Sequence, residues 1–594
     1  MTDALDGALR AALDAVSPQA VDAHLRFLSH PLLEGRAPGT RGGTLAMEYI
    51  AAQFQRMGLQ PVDGAWTQPV PMAGMDPHPR LELATPGGPI APAYGDEYVL
   101  EAGVPRPEVS IDTELVFVGY GITAPEYGWD DYAGVDVRGK VLLMRVNDPG
   151  TADTPGFFGG RALTYYGRWT YKLEEASRRG AAGALLLHTD ESAGYGWNVV
   201  KTSNTGEQFD LAGAPQFPLE VRGWISEAAA RRALAAAGHD LDALVAASEA
   251  KAFRPVPLAI GVRAQVQSDV REVATANVVG LLPGSDPGRG HEVVIVSAHY
   301  DHLGMRVGDD GAPQVYHGAY DNASGVAVLL AVAEGLARAP ARPPRPFLFV
   351  STTAEESGLL GAEWYARHPL YPLATTAAVL NVDGANLWGR TEDIAPLGTD
   401  RSELGALVRA AAEAEGMVVA PEQHPEQGMF FRQDHFPFAR AGVPALAMDH
   451  GLRYVGRPEG WGQERYEEFN SRHYHQPSDA YQPGVDYAGA VQQARVLLRT
   501  AWAAAAADAL PQWAPGSEFK RAPHPGSGGP GLRFGREYCV SARTDRLPNR
   551  RERVTEGSLR SRLRAEVSCR CRSQSWLPLP FTSPVLFGRG RKNR

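Results

Sequence analysis

Cysteine is almost missing from this sequence. Its three cysteines, Cys539, Cys569 and Cys571, all follow residue 523, so neither a disulfide framework nor a thiolate metal site belongs to the first 522 residues. Long apolar runs are absent too: nothing approaches the ~18 consecutive residues of a membrane span. Residues 1–17 contain Asp3, Asp6 and Asp14 and lack both a basic stretch and a continuous apolar stretch, which excludes a signal peptide in the sequence as it stands. No Gly-x-Ser-x-Gly occurs, which removes the usual nucleophile elbow of serine hydrolases. A basic surplus is missing from the body as well. Residues 523–594 carry 16 Lys+Arg against 5 Asp+Glu, leaving 42 against 63 in residues 1–522. A body that acidic does not bind nucleic acid through a basic patch.

What remains is 594 residues with an ordinary globular composition, 44% hydrophobic and 21% charged. Single cores stop growing near roughly 250–300 residues, so more than one unit is expected. Residues 1–110 are assigned to the first part of the main domain and 111–270 to an inserted smaller α/β domain. Residues 271–515 form the chemistry-bearing domain, and 523–594 an Arg-rich, disordered tail. In the insert, Leu115–Gly121, Val141–Met144 and Ala184–His188 suggest strands and Tyr171–Arg179 a helix stopped by Gly180. Its aromatics Tyr165, Tyr166, Trp169, Tyr171, Tyr195 and Trp197 are either core or the lining of a substrate cleft. Residues 18–60 suggest two helices, the second carrying Ala46, Tyr49, Ile50, Phe54 and Met57 on one face, joined by Gly35–Thr40 as a connector.

Four apolar runs close on chemistry-bearing side chains. Val293–Val296 leads to His299, Asp301 and then Asp321; Phe347–Val350 leads to Glu355 and Glu356; Ala377–Leu380 leads to Asp383; Val443–Met448 leads to Asp449. In an open α/β sheet ligands bind outside the carboxyl ends of the strands, so repeated runs of this kind predict one shared site in a mixed, mostly parallel sheet flanked by helices. His473 and His475 complete the candidates, and their spacing alone does not choose between them. Nitrogen and oxygen donors without thiolate suit Zn²⁺, with Mn²⁺ or Co²⁺ possible. A helix after Asp321 would present Val326, Leu329, Leu330, Ala333 and Leu336 and be capped by Ser324 or Asn322. Another, near 358–367, would follow Glu356.

The motifs Ala298-His299-Tyr300-Asp301, Gly318-Ala319-Tyr320-Asp321-Asn322-Ala323-Ser324-Gly325, Ala354-Glu355-Glu356-Ser357-Gly358, Asn381-Val382-Asp383 and Tyr474-His475-Gln476-Pro477-Ser478-Asp479 resemble those of the M28 zinc peptidases. Together with the Gly35-Arg36 loop the likeness covers roughly residues 18–520, and specifically resembles members with an inserted protease-associated domain. The resemblance implies the zinc-exopeptidase, phosphorylase/hydrolase-like α/β fold. It also implies two Zn²⁺ ions, one held by His299 and Asp383, the other by Glu356 and His475, with Asp321 bridging; the family motif thus favours His475 over His473. Glu355 would be the general base and Asp301 a group orienting His299 or its surroundings. A bridging carboxylate is what paired metals ~3.5–4 Å apart require.

The implied activity is removal of N-terminal residues from peptide substrates. A carboxypeptidase, another amide-processing member such as a glutaminyl cyclase, or a noncatalytic receptor-like module are the alternatives. The stretch Phe430–Phe436 resembles a family segment beside the active site, with Gln433 where Ser is expected. It offers Arg432, Asp434 and His435 as substrate-binding or supporting groups. Residues 454–461 are candidates for a cleft wall. Members with the inserted domain are usually exported, which implies a secreted or periplasmic protein; without an export signal in the sequence, a cytoplasmic one is equally open.

Overall fold

A computed structural model describes residues 2–308 and 311–521; the tail and its cysteines lie outside the described residues. Eleven strands position the site: β1 (Thr67–Thr85), β2 (Tyr98–Ala102), β3 (Glu108–Phe117), β4 (Val141–Arg145), β5 (Gly183–His188), β6 (Val221–Ser226), β7 (Val256–Leu282), β8 (Val294–His299), β9 (Phe347–Thr352), β10 (Ala378–Asn381) and β11 (Ala445–Ala447). They join one sheet in the order β11-β10-β8-β9-β7-β3-β4-β5-β6-β2, with β1 paired to β7 beside that path. β8 runs parallel to β9 and β10, and β10 parallel to β11. β3 to β6 form a second parallel run. β7 is antiparallel to β9, β3 and β1, and β6 to β2.

Because β8, β9, β10 and β11 point the same way, their carboxyl ends share one edge, as the sequence pattern predicts. Every residue of β8, β9 and β10 is buried, which fits near-continuous apolar strands covered on both faces. The helix Gly325–Arg338 follows Asp321 as expected. It is buried on all sides from Gly325 to Leu336, beyond the single face drawn from the sequence. The helices Thr2–Ala15, Pro18–Leu28 and Ala488–Ala506 pack over the rest of it. Each buried Leu there contributes roughly 1.5–3 kcal/mol of transfer free energy, which makes this helix a firm mount for the loop before it.

The longest pairing is β1 with β7, in register from Thr67 opposite Val278 to Ala84 opposite Gly261. β7 passes through residue 270, pairing with β3 at one end and β9 at the other. β1 contains Pro69, Pro71, Pro77 and Pro79, residues that argue against a strand in sequence. They are separated by even numbers, so the N–H each lacks falls on one edge, away from β7, and the ladder survives. The predicted helices form at Trp169–Arg178, with Gly180 at φ 71° beyond its end, at Arg41–Arg56 and at Leu360–Arg367. Among the described residues no helix is long and apolar enough to cross a membrane.

Candidate metal centre

Loops at the carboxyl ends of β8, β9 and β10 bring the predicted residues together. Asn322 ties two of these loops. Its side-chain oxygen accepts from the N–H of Gly325 at 3.0 Å and of Gly384 at 2.9 Å, and its amide donates to the Val382 carbonyl. Of the two proposed caps, Asn322 therefore serves the helix start. Ser324 Oγ instead donates to the Tyr320 carbonyl and accepts from the Ala385 N–H. Asp479 accepts the N–H groups of Tyr320 and Asp321 at 2.8 and 3.1 Å. Asp321 and Asp383 are thereby set side by side on fixed backbone.

The Gly35-Arg36 loop is more than a connector. Arg36 is 1% exposed, and its guanidinium donates to the carbonyls of Leu28, Tyr300, His317 and Gly318 at 2.6–2.9 Å. It pins both ends of the excursion between His299 and Asp321. Gly35 sits at φ 70°, where an added Cβ would fall 2.4 Å from the Gly304 carbonyl oxygen, so only glycine admits this approach.

At the centre, His299 Nε2 lies 3.3 Å from Asp321 Oδ1 and 3.3 Å from Asp383 Oδ1. His475 Nε2 lies 3.2 Å from Asp321 Oδ2 and 3.0 Å from Glu356 Oε2. The two oxygens of Asp321 thus face two different donor groups. His473 turns away to Ser478 Oγ at 2.9 Å. His475 stands in left-handed backbone at φ 55° and Ala354, just before Glu355, likewise at φ 55°, conformations that persist where surrounding structure enforces them. Glu355 Oε2 is 3.9 Å from His299 Nε2, and unlike Glu356 it is engaged by no second imidazole. Burial raises the Glu355 carboxyl well above its ordinary range, against the pull of His299.

One donor escaped the sequence reading. His302 Nδ1 meets Glu356 Oε1 at 2.6 Å, and His302, Asp321 and Glu356 each offer a ligand atom within 4.8 Å of one another, as do His299, Asp321 and Asp383. The signal was its place in Ala298–His302, three residues past His299. Asp301, fully buried, lies 3.6 Å from His299 Nδ1, too far for a hydrogen bond, and accepts the Glu355 N–H at 3.2 Å. Its hydrogen bond is to the Glu355 backbone and not to His299.

The remaining candidates separate. Asp434 is buried behind the site, accepting from Thr352 Oγ1, and burial pushes it up to about 7. His435 is buried against Phe430, its two nitrogens without partners, and burial holds it neutral with a value of about 3. It lines neither cavity beside the centre. Gln433 accepts from Asn381 at 3.3 Å. Asp449 accepts from the His450 N–H and lines the smaller cavity, about 110 Å³, with Asp383, Tyr320, Trp388 and Phe469. Residues 454–461 line neither cavity; Tyr454 is buried with its hydroxyl on Asn386. Among the aromatics of residues 111–270, Tyr165, Trp169 and Tyr195 line the larger cavity, whereas Tyr166 and Tyr171 pack in an aromatic cluster and Trp197 bonds the Gly95 carbonyl.

The 111–270 segment also reaches the centre directly. Ser203, at the end of the helix Trp197–Asn204, bonds His475 Nδ1 through its Oγ at 2.8 Å. Such a contact fixes which ring nitrogen faces a metal, and its loss typically weakens binding about 10–100-fold. Ser203→Ala is expected to show that loss in a chelator-competition titration; unchanged affinity would mean that His475 is oriented without it.

The donor set fits divalent metal. Four carboxylates, Asp321, Glu355, Glu356 and Asp383, converge with no Lys or Arg ion pair among the described residues, only imidazoles. His475 Nε2 and His302 Nε2 are buried without hydrogen-bond partners. Buried carboxylates so close demand a cation, and the N and O donors are those of zinc-type sites.

Residues 277–501 match the model of peptidase family M28. The chain is 28% identical over 214 residues to leupeptin-inactivating enzyme 1 of Streptomyces exfoliatus, an overlap of 34% of this chain and 43% of that protein. It matches less than half the length of the curated relatives to which it is similar. Among solved structures it is similar to an aminopeptidase from Aneurinibacillus sp. strain AM-1, at 18% identity and TM-score 0.48 over 87% of this chain and 98% of that one. It is also similar to BSAP, a zinc aminopeptidase from Bacillus subtilis, at 19% and 0.42 over 82% and 95%. The residues that match peptidase family M28, 277–501, hold His299, Asp321, Glu355, Glu356, Asp383 and His475.

Proposed function

We propose that this peptidase is a dinuclear zinc aminopeptidase. His299 and Asp383 would hold one ion, Glu356 and His475 the other, with Asp321 between them. The observation that carries the reading is the division of Asp321, Oδ1 toward His299 and Oδ2 toward His475. Zinc bound there would supply an acidified water and a counter-charge for the developing oxyanion, and Mn²⁺ or Co²⁺ suit the same donors. Glu355 is the base: its carboxylate takes the proton of the attacking water and returns it to the leaving amine. Asp301 holds the Glu355 backbone. The smaller cavity favours an amino terminus, since Asp383 and Asp449 meet an ammonium there while Tyr320, Trp388 and Phe469 receive an apolar side chain. The 111–270 segment acts as an inserted module that bounds the cleft and supplies Ser203.

The reading is tested with leucine p-nitroanilide, an N-acetylated peptide and an N-terminal glutaminyl peptide, each with and without chelator. Hydrolysis of the nitroanilide alone, lost on chelation and restored by zinc, is the expected result. Cleavage of the blocked peptide would make the enzyme a carboxypeptidase, and cyclising release of ammonia a glutaminyl cyclase. Full turnover after metal removal would overturn the metal assignment.

A further inference from the structure

The larger cavity, about 200 Å³, runs from Glu355, Glu356 and His475 into the 111–270 segment. Four arginines line it: Arg168, Arg222, Arg432 and Arg440. Two are neutralised. Arg222 meets Glu101 at 2.7 Å and Asp210 at 3.3 Å, and Arg440 meets Glu174 at 3.1 Å. The other two have no carboxylate partner among the described residues. Arg168 is 8% exposed, its side chain makes no hydrogen bond to the described protein, and its Nε is buried without a partner. Arg432 donates to the Ala193 carbonyl at 3.2 Å and toward Met429 Sδ at 3.6 Å, packs on the Tyr195 ring, and leaves its own Nε buried and unpartnered. The pair repel: burial, and then the charge of Arg432, hold Arg168 down to about 9. Burying an unpaired guanidinium is unfavourable, and two in one cavity more so, unless an anion completes them.

Glu355, Tyr195, Arg432 and Tyr474 border both cavities. On the aminopeptidase reading, on which this inference rests, a peptide lying across Glu355 has its ammonium end in the acidic cavity and its leaving part among the arginines. We infer that Arg168 and Arg432 bind a carboxylate on the leaving side of the substrate, so that the enzyme prefers di- and tripeptides with a free C-terminus. The planar guanidinium fork matches a carboxylate, and in a dipeptide that carboxylate lies one residue, about 3.8 Å, beyond the scissile bond.

The test compares kcat/KM for Leu-Gly, Leu-Gly amide, Leu-Gln amide and Leu-Glu amide in the zinc-loaded enzyme and in Arg168→Gln and Arg432→Gln. The wild type is expected to favour the free acid over the amide by roughly 10- to 100-fold, the range of a charge-assisted hydrogen bond. Each variant should lose most of that preference while keeping Leu-Gly amide turnover within about threefold, which also certifies its fold. An advantage of Leu-Glu amide over Leu-Gln amide that vanishes in the variants would assign the carboxylate to a side chain; its absence, beside an acid preference, assigns it to the C-terminus. Equal rates for acid and amide in the wild type would overturn the inference, as would variants that lose acid and amide alike. Failure of all four substrates in the zinc-loaded wild type would instead sink the aminopeptidase reading beneath it.

Discussion

Replacing Glu355 by Gln is expected to lower kcat by about 10²- to 10⁴-fold, the usual worth of general acid–base catalysis, while bound metal stays unchanged. The two adjacent acids do different things. Glu356 is engaged by His302 at 2.6 Å and His475 at 3.0 Å, so its loss would remove a ligand. Glu355 has one imidazole at 3.9 Å and otherwise faces both cavities. The left-handed turn at Ala354 sends the pair apart. Glutamine keeps the size and packing of the side chain but cannot take a proton from water. Steady-state kinetics with a metal analysis of the same sample decide it: wild-type turnover in Glu355→Gln removes this residue from the mechanism.

Asp321→Asn is expected to abolish zinc-dependent activity and zinc-dependent stabilisation together. A ligand at a thousand times its Kd stabilises the folded state by roughly 4 kcal/mol, which calorimetry of the wild type with and without zinc should show. Among the described residues, Asp321 alone pairs with both His299 and His475, at 3.3 and 3.2 Å. Although burial favours its protonated form, the imidazoles of His299 and His475 beside it hold its carboxyl well below the usual range. An amide offers one oxygen and no charge, so both halves weaken at once. The same change also removes one of four crowded carboxylates, so the metal-free variant should unfold no more easily than the metal-free wild type. Zinc stabilising the variant as strongly as the wild type would show that Asp321 does not bridge.

Much of the centre was legible because strand ends are local features. The runs Val293–Val296, Phe347–Val350 and Ala377–Leu380 announce buried strands, and the polar residues that stop them are the ones that converge at the shared edge. Other features were masked by local chemistry. The four prolines of β1 hid the longest pairing in the molecule, since proline is tolerated in a ladder only where its missing N–H faces outward, and that direction is unknown before the partner strand is.

By itself the sequence determined which side chains sit at the carboxyl edge of a parallel sheet, because burial pattern and strand polarity are set by residues a few positions apart. The motif Tyr474-His475-Gln476-Pro477-Ser478-Asp479 favoured His475 over His473, and the tertiary structure turns it toward Asp321. The tertiary structure alone decided that His302 joins them, that Ser203 reaches His475 across 272 positions, that Arg36 spans 264 to hold Tyr300, and that Arg168 and Arg432 share a cavity with no carboxylate partner among the described residues. Those meetings depend on how separate loops pack against one another, and an irregular loop carries no period from which the direction of a side chain can be read.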